Sequence, residues 1–253
     1  MADNLENNLQ DNSVQTQPLQ IRQVPAGNAW AWIASGFQIF KAYPLMWIVL
    51  FIIYLIIVIP LSFIPVLGTV FGSLVAPVFA AGMMIGCAAV MHHQELEINH
   101  LFAGFKKNTG QLVAVGGIYL AALLLISVLI VMSLDQEIIA QMVKGQELTQ
   151  EQAASAMKPT VLIAMLLLIP VLMAYWFAPL LVRLHDLTAL EAMKMSFMAV
   201  FRNIVPVILY AFIFIALTVL AVIPFGLGLL VVVPVMITST YTSYLDIFNI
   251  KQD

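Results

Sequence analysis

Six apolar runs without a single Asp, Glu, Lys or Arg constrain this chain more than anything else in it: 45–61, 68–91, 112–134, 161–182, 204–223 and 227–245. About 20 residues rising 1.5 Å each cross a hydrocarbon core of about 30 Å, so every run is long enough, or nearly so, to span. Lipid offers no partner for backbone N–H and C=O groups, so such segments must be helices or the strands of a closed barrel. Barrel strands alternate apolar and polar residues over about ten positions, and "PLMWIVLFIIYLIIVIPL" does not alternate. The expected fold is an all-α integral membrane protein with six transmembrane helices. Composition agrees, with 62% hydrophobic and 9% charged residues where a soluble domain carries roughly 25% charged.

The flanks differ from the spans. Residues 1–27 are polar and rich in Asn and Gln, and read as a disordered tail. Residues 28–248 form the membrane domain and 249–253 a short C-terminal tail. The net charge of −3 argues against a nucleic-acid partner, which needs a clustered basic face. One cysteine, Cys87, excludes an internal disulfide and a cysteine zinc cluster.

Six spans divide the cations unevenly. Arg22, Lys41, Lys106, Lys107, Arg183, Lys194, Arg202 and Lys251 fall on one side, Lys144 and Lys158 on the other. The positive-inside rule then predicts cytoplasmic N- and C-termini in a multi-pass protein.

A repeat organises the runs. "GFQIFKAYPLMWIVL", "LFAGFKKNTGQLVAV" and "SFMAVFRNIVPVILY" precede the odd-numbered spans, and each carries an aromatic followed by a cation: Phe40 and Lys41, Phe105 and Lys106, Phe201 and Arg202. Phe37, Phe102 and Met198 stand three positions earlier, on the same helix face. Each segment therefore reads as an amphipathic helix anchored at the interface. The even-numbered spans contain "LVAPVF", "LLIPVL" and "VVVPVM", placing Pro77, Pro170 and Pro234 inside their helices, where proline kinks. The expectation is three parallel copies of an interfacial helix plus a helical hairpin. The middle copy carries an extracytoplasmic insertion, 135–160, in which Thr149 and Gln152 stand at capping-box spacing and start one of one or two short helices.

Few residues suggest chemistry. Met83, Cys87 and Met91, followed by His92 and His93, have the soft-ligand character that suits Cu(I), but Met is ordinary in apolar helices and the expectation is no metal and no cofactor. Gly68, Gly72, Gly82 and Gly86 form a small-residue series for close helix packing, within the chain or between two copies. His185 beside Asp186 could pair a base with its orienter, yet neighbours on a helix diverge, and an interfacial helix with salt bridges is the plainer reading. Thr238, Ser239 and Thr240 open the polar stretch of the last span. They could bond within their own helix or, with the three prolines, line a midplane cavity.

The segments "AWAWIASGFQIFKAYPLMWI" and "APLLVRLHDLTALEAMKMSFMAVFRN" resemble an uncharacterised family of proteobacterial inner-membrane proteins. That family pairs a Trp-rich "GW.LF...P..W" start with an "AP.LV..HD....EA...S......N" signature. Gly36, Phe40, Pro44 and Trp47 match the first motif, with Phe37 in place of Trp and Ile39 in place of Leu. Ala178, Pro179, Leu181, Val182, His185, Asp186, Glu191, Ala192, Ser196 and Asn203 match the second. The resemblance spans about residues 28–248 and implies an inner-membrane location and six spans, without an activity.

Two functions follow as expectations. The first is a non-enzymatic membrane protein acting through contacts with membrane lipids, a membrane-protein partner or a second copy, in an assembly, scaffold or envelope-maintenance role. The alternative is a channel or carrier for a small neutral or weakly polar solute. An enzyme is not expected, because no run contains an acidic residue or a histidine beside a nucleophile.

Overall fold

The computed structural model describes residues 19–134, 136–147 and 149–250, and among these there is no strand. Six helices are long and apolar enough to cross a membrane. The chain runs α1 (Asn28–Ala42), α2 (Pro44–Ser62), α3 (Leu67–Met91), a 3-10 helix η1 (Ile98–Phe105), α4 (Thr109–Met132), α5 (Gln136–Val143), α6 (Gln150–Trp176), α7 (Ala178–His185), α8 (Ala189–Arg202), α9 (Ile204–Val222) and α10 (Leu229–Ile247). It is a multi-pass membrane protein.

The third helix, α3, is the hub. Of its spanning window 72% is buried inside the protein, against 17% for α2 and for α4. Glycine makes this possible by letting neighbours approach its backbone. A Cβ at Gly82 would lie 2.4 Å from Leu101 O, and one at Gly86 2.9 Å from a Leu96 methyl. From the other side, a Cβ at Gly104 would lie 1.9 Å from Val78 O and one at Gly116 2.3 Å from Ser73 O. Gly68 closes the first hairpin against Leu61, and Gly228 closes the last against Ala221. Gly72, read from sequence as a member of the packing series, faces open space.

Other expectations are refined by the backbone. The polar tail read as 1–27 does not extend that far: residues 19–25 lie against the end of α10, where Arg22 N–H donates to Ile247 O at 2.9 Å. Residues 1–18, and with them most of the expected tail, lie outside the described residues, as does 251–253. The Thr149 cap is present, with Gln152 N–H donating to Thr149 Oγ1 at 3.2 Å and Thr149 N–H to Gln152 Oε1 at 3.0 Å. That cap begins a single helix running through Pro170 to Trp176, so the insertion contributes one separate helix, α5, and the start of α6.

The fourth span does not break at Pro170. It breaks at Phe177, between α6 and α7. A continuous helix would join Phe177 N–H to Met173 O, and the hydroxyl of Ser196 replaces that bond: Phe177 N–H donates to Ser196 Oγ at 2.9 Å and Ser196 Oγ–H donates to Met173 O at 2.7 Å. A side chain inserted into the ladder bends a helix without an unsatisfied group. The segment before the third span is a 3-10 helix where an α-helix was expected. Residues three apart eclipse in that geometry, so Asn99, Phe102 and Phe105 share one exposed face, the two rings meeting Phe79 of α3 edge-on, while Leu101 and Gly104 are buried against α3.

Candidate functional site

The three segments that precede odd-numbered spans lie at one end of the molecule, here called the basic end. Each docks on an even-numbered span. The main interfaces are α1 with α10, η1 with α3, and α8 with α6. In each, a small residue meets the span just past its proline: Gly36 against Ser239 beyond Pro234, Gly104 against Val78 beyond Pro77, and Ser196 against Met173 beyond Pro170. Pro77 and Pro234 are buried, whereas Pro170 is exposed on the outer surface of α6. The three prolines thus do not share one interior environment; they stand beside docking points.

The polar stretch of α10 is committed to the same docking. Thr238 and Thr242 hydroxyls donate to Gly36 O and Trp32 O, both at 2.8 Å. Ser239 Oγ lies 2.7 Å from the Tyr210 hydroxyl, and Thr240 Oγ1–H returns to Met236 O at 2.8 Å. These hydroxyls stitch α1 to α10 and α9 to α10. Gly36 is what allows it, since a Cβ there would lie 2.5 Å from Ser239 N.

Two carboxylates fasten the loops at the basic end. Asp246, in the last turn of α10, accepts from Trp32 Nε1–H and Asn28 Nδ2–H at 2.7 Å each and pairs with the Arg22 guanidinium. Asn203 holds the same strap, accepting Val24 N–H at 2.9 Å and donating to Arg22 O at 3.0 Å. Asp186, just past α7, is gripped by Lys107 (Nζ–Oδ1 2.8 Å) and by Asn108 Nδ2–H at 2.6 Å, while Asn108 also donates to Val182 O at 3.0 Å. Partial burial pushes the Asp186 carboxyl up. The hydrogen bonds from Lys107 and Asn108, with the Lys107 and Arg183 charges, outweigh that and hold it below the usual carboxylate value. The neighbouring His185 turns its Nε2 to the buried Tyr244 hydroxyl.

The outward faces differ in character. Phe37, Phe102, Phe105, Met198 and Phe201 are exposed, as are Lys41, Lys106 and Arg202. Phe40 departs from its counterparts and is buried, because α1 turns that face into the core with Trp32 and Ile39. Met83 and Cys87 are buried within α3 while His92 and His93 are exposed beyond its end. Among the described residues no three His, Cys, Asp or Glu side chains gather as a metal would require.

No family model matches the chain, and no solved structure matches it. The chain is similar to a bacterial membrane protein. That relative, from Burkholderia thailandensis, is named a probable inner membrane protein, and the two are 28% identical over 193 residues, 73% of this chain and 71% of the relative. Sequence reasoning missed Gly36, Gly104, Gly116 and Ser196 as docking positions. For Gly36 and Ser196 the available signal was their place in the resemblance motifs.

Proposed function

We propose that this chain is a non-enzymatic protein of a bacterial inner membrane that works by contact, through the outward faces of its three short helices, in an assembly, scaffold or envelope-maintenance role. The carrying observation is a division of labour at the basic end. Most polar side chains there, with Arg22 and Lys107, serve internal docking and clasping, while Phe37, Phe102, Phe105, Met198 and Phe201 are exposed together with Lys41, Lys106 and Arg202. Such faces suit the bilayer interface or a membrane partner. The relative's name supports the inner-membrane placement, and the cation asymmetry supports a cytoplasmic basic end.

The three-unit reading is supported by the cyclic order of docking, in which each short helix sits on the even-numbered span of the unit before it and the first sits on that of the last. The matched closures of the first and last hairpins, Gly68 on Leu61 and Gly228 on Ala221, add to it. The proteobacterial family suggested by the two motifs fits the same architecture.

The test is crosslinking in native membranes from photoreactive residues at Phe102 and Phe201, with identification of captured proteins and lipids. Reproducible capture from these faces, absent from control positions on α9, is the expected result. Solute flux in liposomes containing the purified protein, without such capture, would replace the contact role with transport.

A further inference from the structure

We infer that a groove between α4, α6 and α8 binds one anionic phospholipid, its acyl chain in the groove and its phosphate at Lys194. This deepens the contact role proposed above and rests on it. The groove has a volume of about 370 Å³ and presents only apolar surface. Ile118 of α4 and Ala174 of α6 form its walls, and Met193 and Phe197 of α8 its roof. Two walls belong to spanning helices, so the groove opens towards hydrocarbon. An apolar trough in that position accepts an acyl chain, whereas a polar solute would find no hydrogen-bonding partner in it.

Lys194 alone among the lining residues is charged, and it is exposed. A lysine at this depth lays its stem on apolar surface and carries its ammonium to the headgroup level. Leu190 and Met198, one turn to either side, are exposed and apolar, as expected of a face turned to lipid.

Charge complementarity selects an anionic headgroup. Glu191, one turn before Lys194 on α8, lies within its field, but that carboxylate is turned to the helix cap, and the exposed Lys194 ammonium is left to meet a headgroup. Glu191 Oε2 accepts Thr188 N–H at 3.1 Å and the Thr188 hydroxyl at 2.7 Å, closing the cap of α8, and Asp186 is held by Lys107 and Asn108.

The test uses the full chain in phosphatidylcholine vesicles carrying a trace of phosphatidylglycerol with a photoreactive acyl chain, or the matching phosphatidylcholine probe. Labelled peptides are mapped by mass spectrometry. The expected result is labelling around Ile118, Ala174 and Met193 to Met198 that favours the anionic probe about fivefold, the ratio that one lysine near an anionic headgroup supplies. Lys194→Glu should abolish that preference, Lys194→Arg should keep it, and Ala174→Phe, which fills the groove, should reduce labelling by both probes. Unchanged melting of each variant keeps the comparison valid, and an Ile118→Phe variant fills the groove from the other wall if Ala174→Phe does not fold. Equal labelling by the two probes, or a preference that survives Lys194→Glu, overturns the site. That failure, with specific capture still seen at Phe102 and Phe201, would remove the lipid site and leave the contact role standing.

Discussion

The indole N–H of Trp32 donates to Asp246 Oδ2 at 2.7 Å, joining the first helix of the described chain to the last across 214 residues. Asn28 and Arg22 complete the same carboxylate. Removing the acceptor leaves three donors without it, and a hydrogen bond to a charged group contributes about 1.5–3 kcal/mol. Asp246→Ala should therefore release the strap before α1 and speed tryptic cleavage after Arg22 in detergent-solubilised protein. A cleavage rate equal to that of the unaltered chain would show that Asp246 does not hold the strap.

The Asp186 clasp predicts a pH dependence. Its carboxyl is held below the ordinary value of about 3.9, so the folded state binds fewer protons there than the unfolded state. Its contribution is complete above about pH 5 and fades as the pH falls through the lowered folded value. The group is half exposed, which keeps the effect small. Melting curves of the unaltered chain and Asp186→Asn should be separated near pH 7 and draw together as the pH falls through the lowered value. A constant separation would assign the difference to something other than this ionisation.

Ser196→Ala removes the hydroxyl that stands between Met173 O and Phe177 N–H. Two buried backbone groups lose their partner, at about 1–3 kcal/mol for each group left unsatisfied. The expected outcome is a lowered unfolding midpoint, recovered in part by Ser196→Thr if its methyl is accommodated. A midpoint unmoved in Ser196→Ala would mean that α6 and α7 rejoin into one helix without cost.

Two glycines should respond oppositely to the same change. At Gly36 an added Cβ lies 2.5 Å from the backbone of Ser239 and would force α1 off α10, while at Gly72 nothing lies within 4 Å. Gly36→Ala should destabilise strongly. Gly72→Ala should be neutral or stabilising by up to about 1 kcal/mol, since alanine is the better helix former. Thermal scans of the pair, run side by side, decide the matter.

Orientation is open to direct labelling. In a Cys87→Ala background, cysteines at Asn99 and at Gln150 should react with an impermeant maleimide from opposite faces, Asn99 from the cytoplasmic one. Reaction of both from the same face would break the six-span arrangement.

Much of the fold was legible because lipid leaves so few choices. Uncharged runs long enough to cross had to become helices, and the Thr149 cap declared itself through two residues and a spacing. What the sequence hid depended on partners distant in the chain. That the Thr238 and Thr242 hydroxyls reach Gly36 O and Trp32 O could not be read from their own segment. The break at Phe177, made through a hydroxyl contributed from α8, has no mark in its own segment comparable to Pro170. The acidic residues flanking the spans gave no hint that two of them would collect donors from remote loops.

The docking of α1 on α10 also fixes an order of events. During synthesis, η1 and α8 emerge after the spans that receive them, so each can settle as soon as it appears. The first helix cannot: the Thr238 hydroxyl that holds Gly36 is made 202 residues later. Until the final span is in place, α1 has no seat. Its arrival there joins the first helix of the described chain to the last, so that a chain interrupted before its end carries a visible mark of being unfinished.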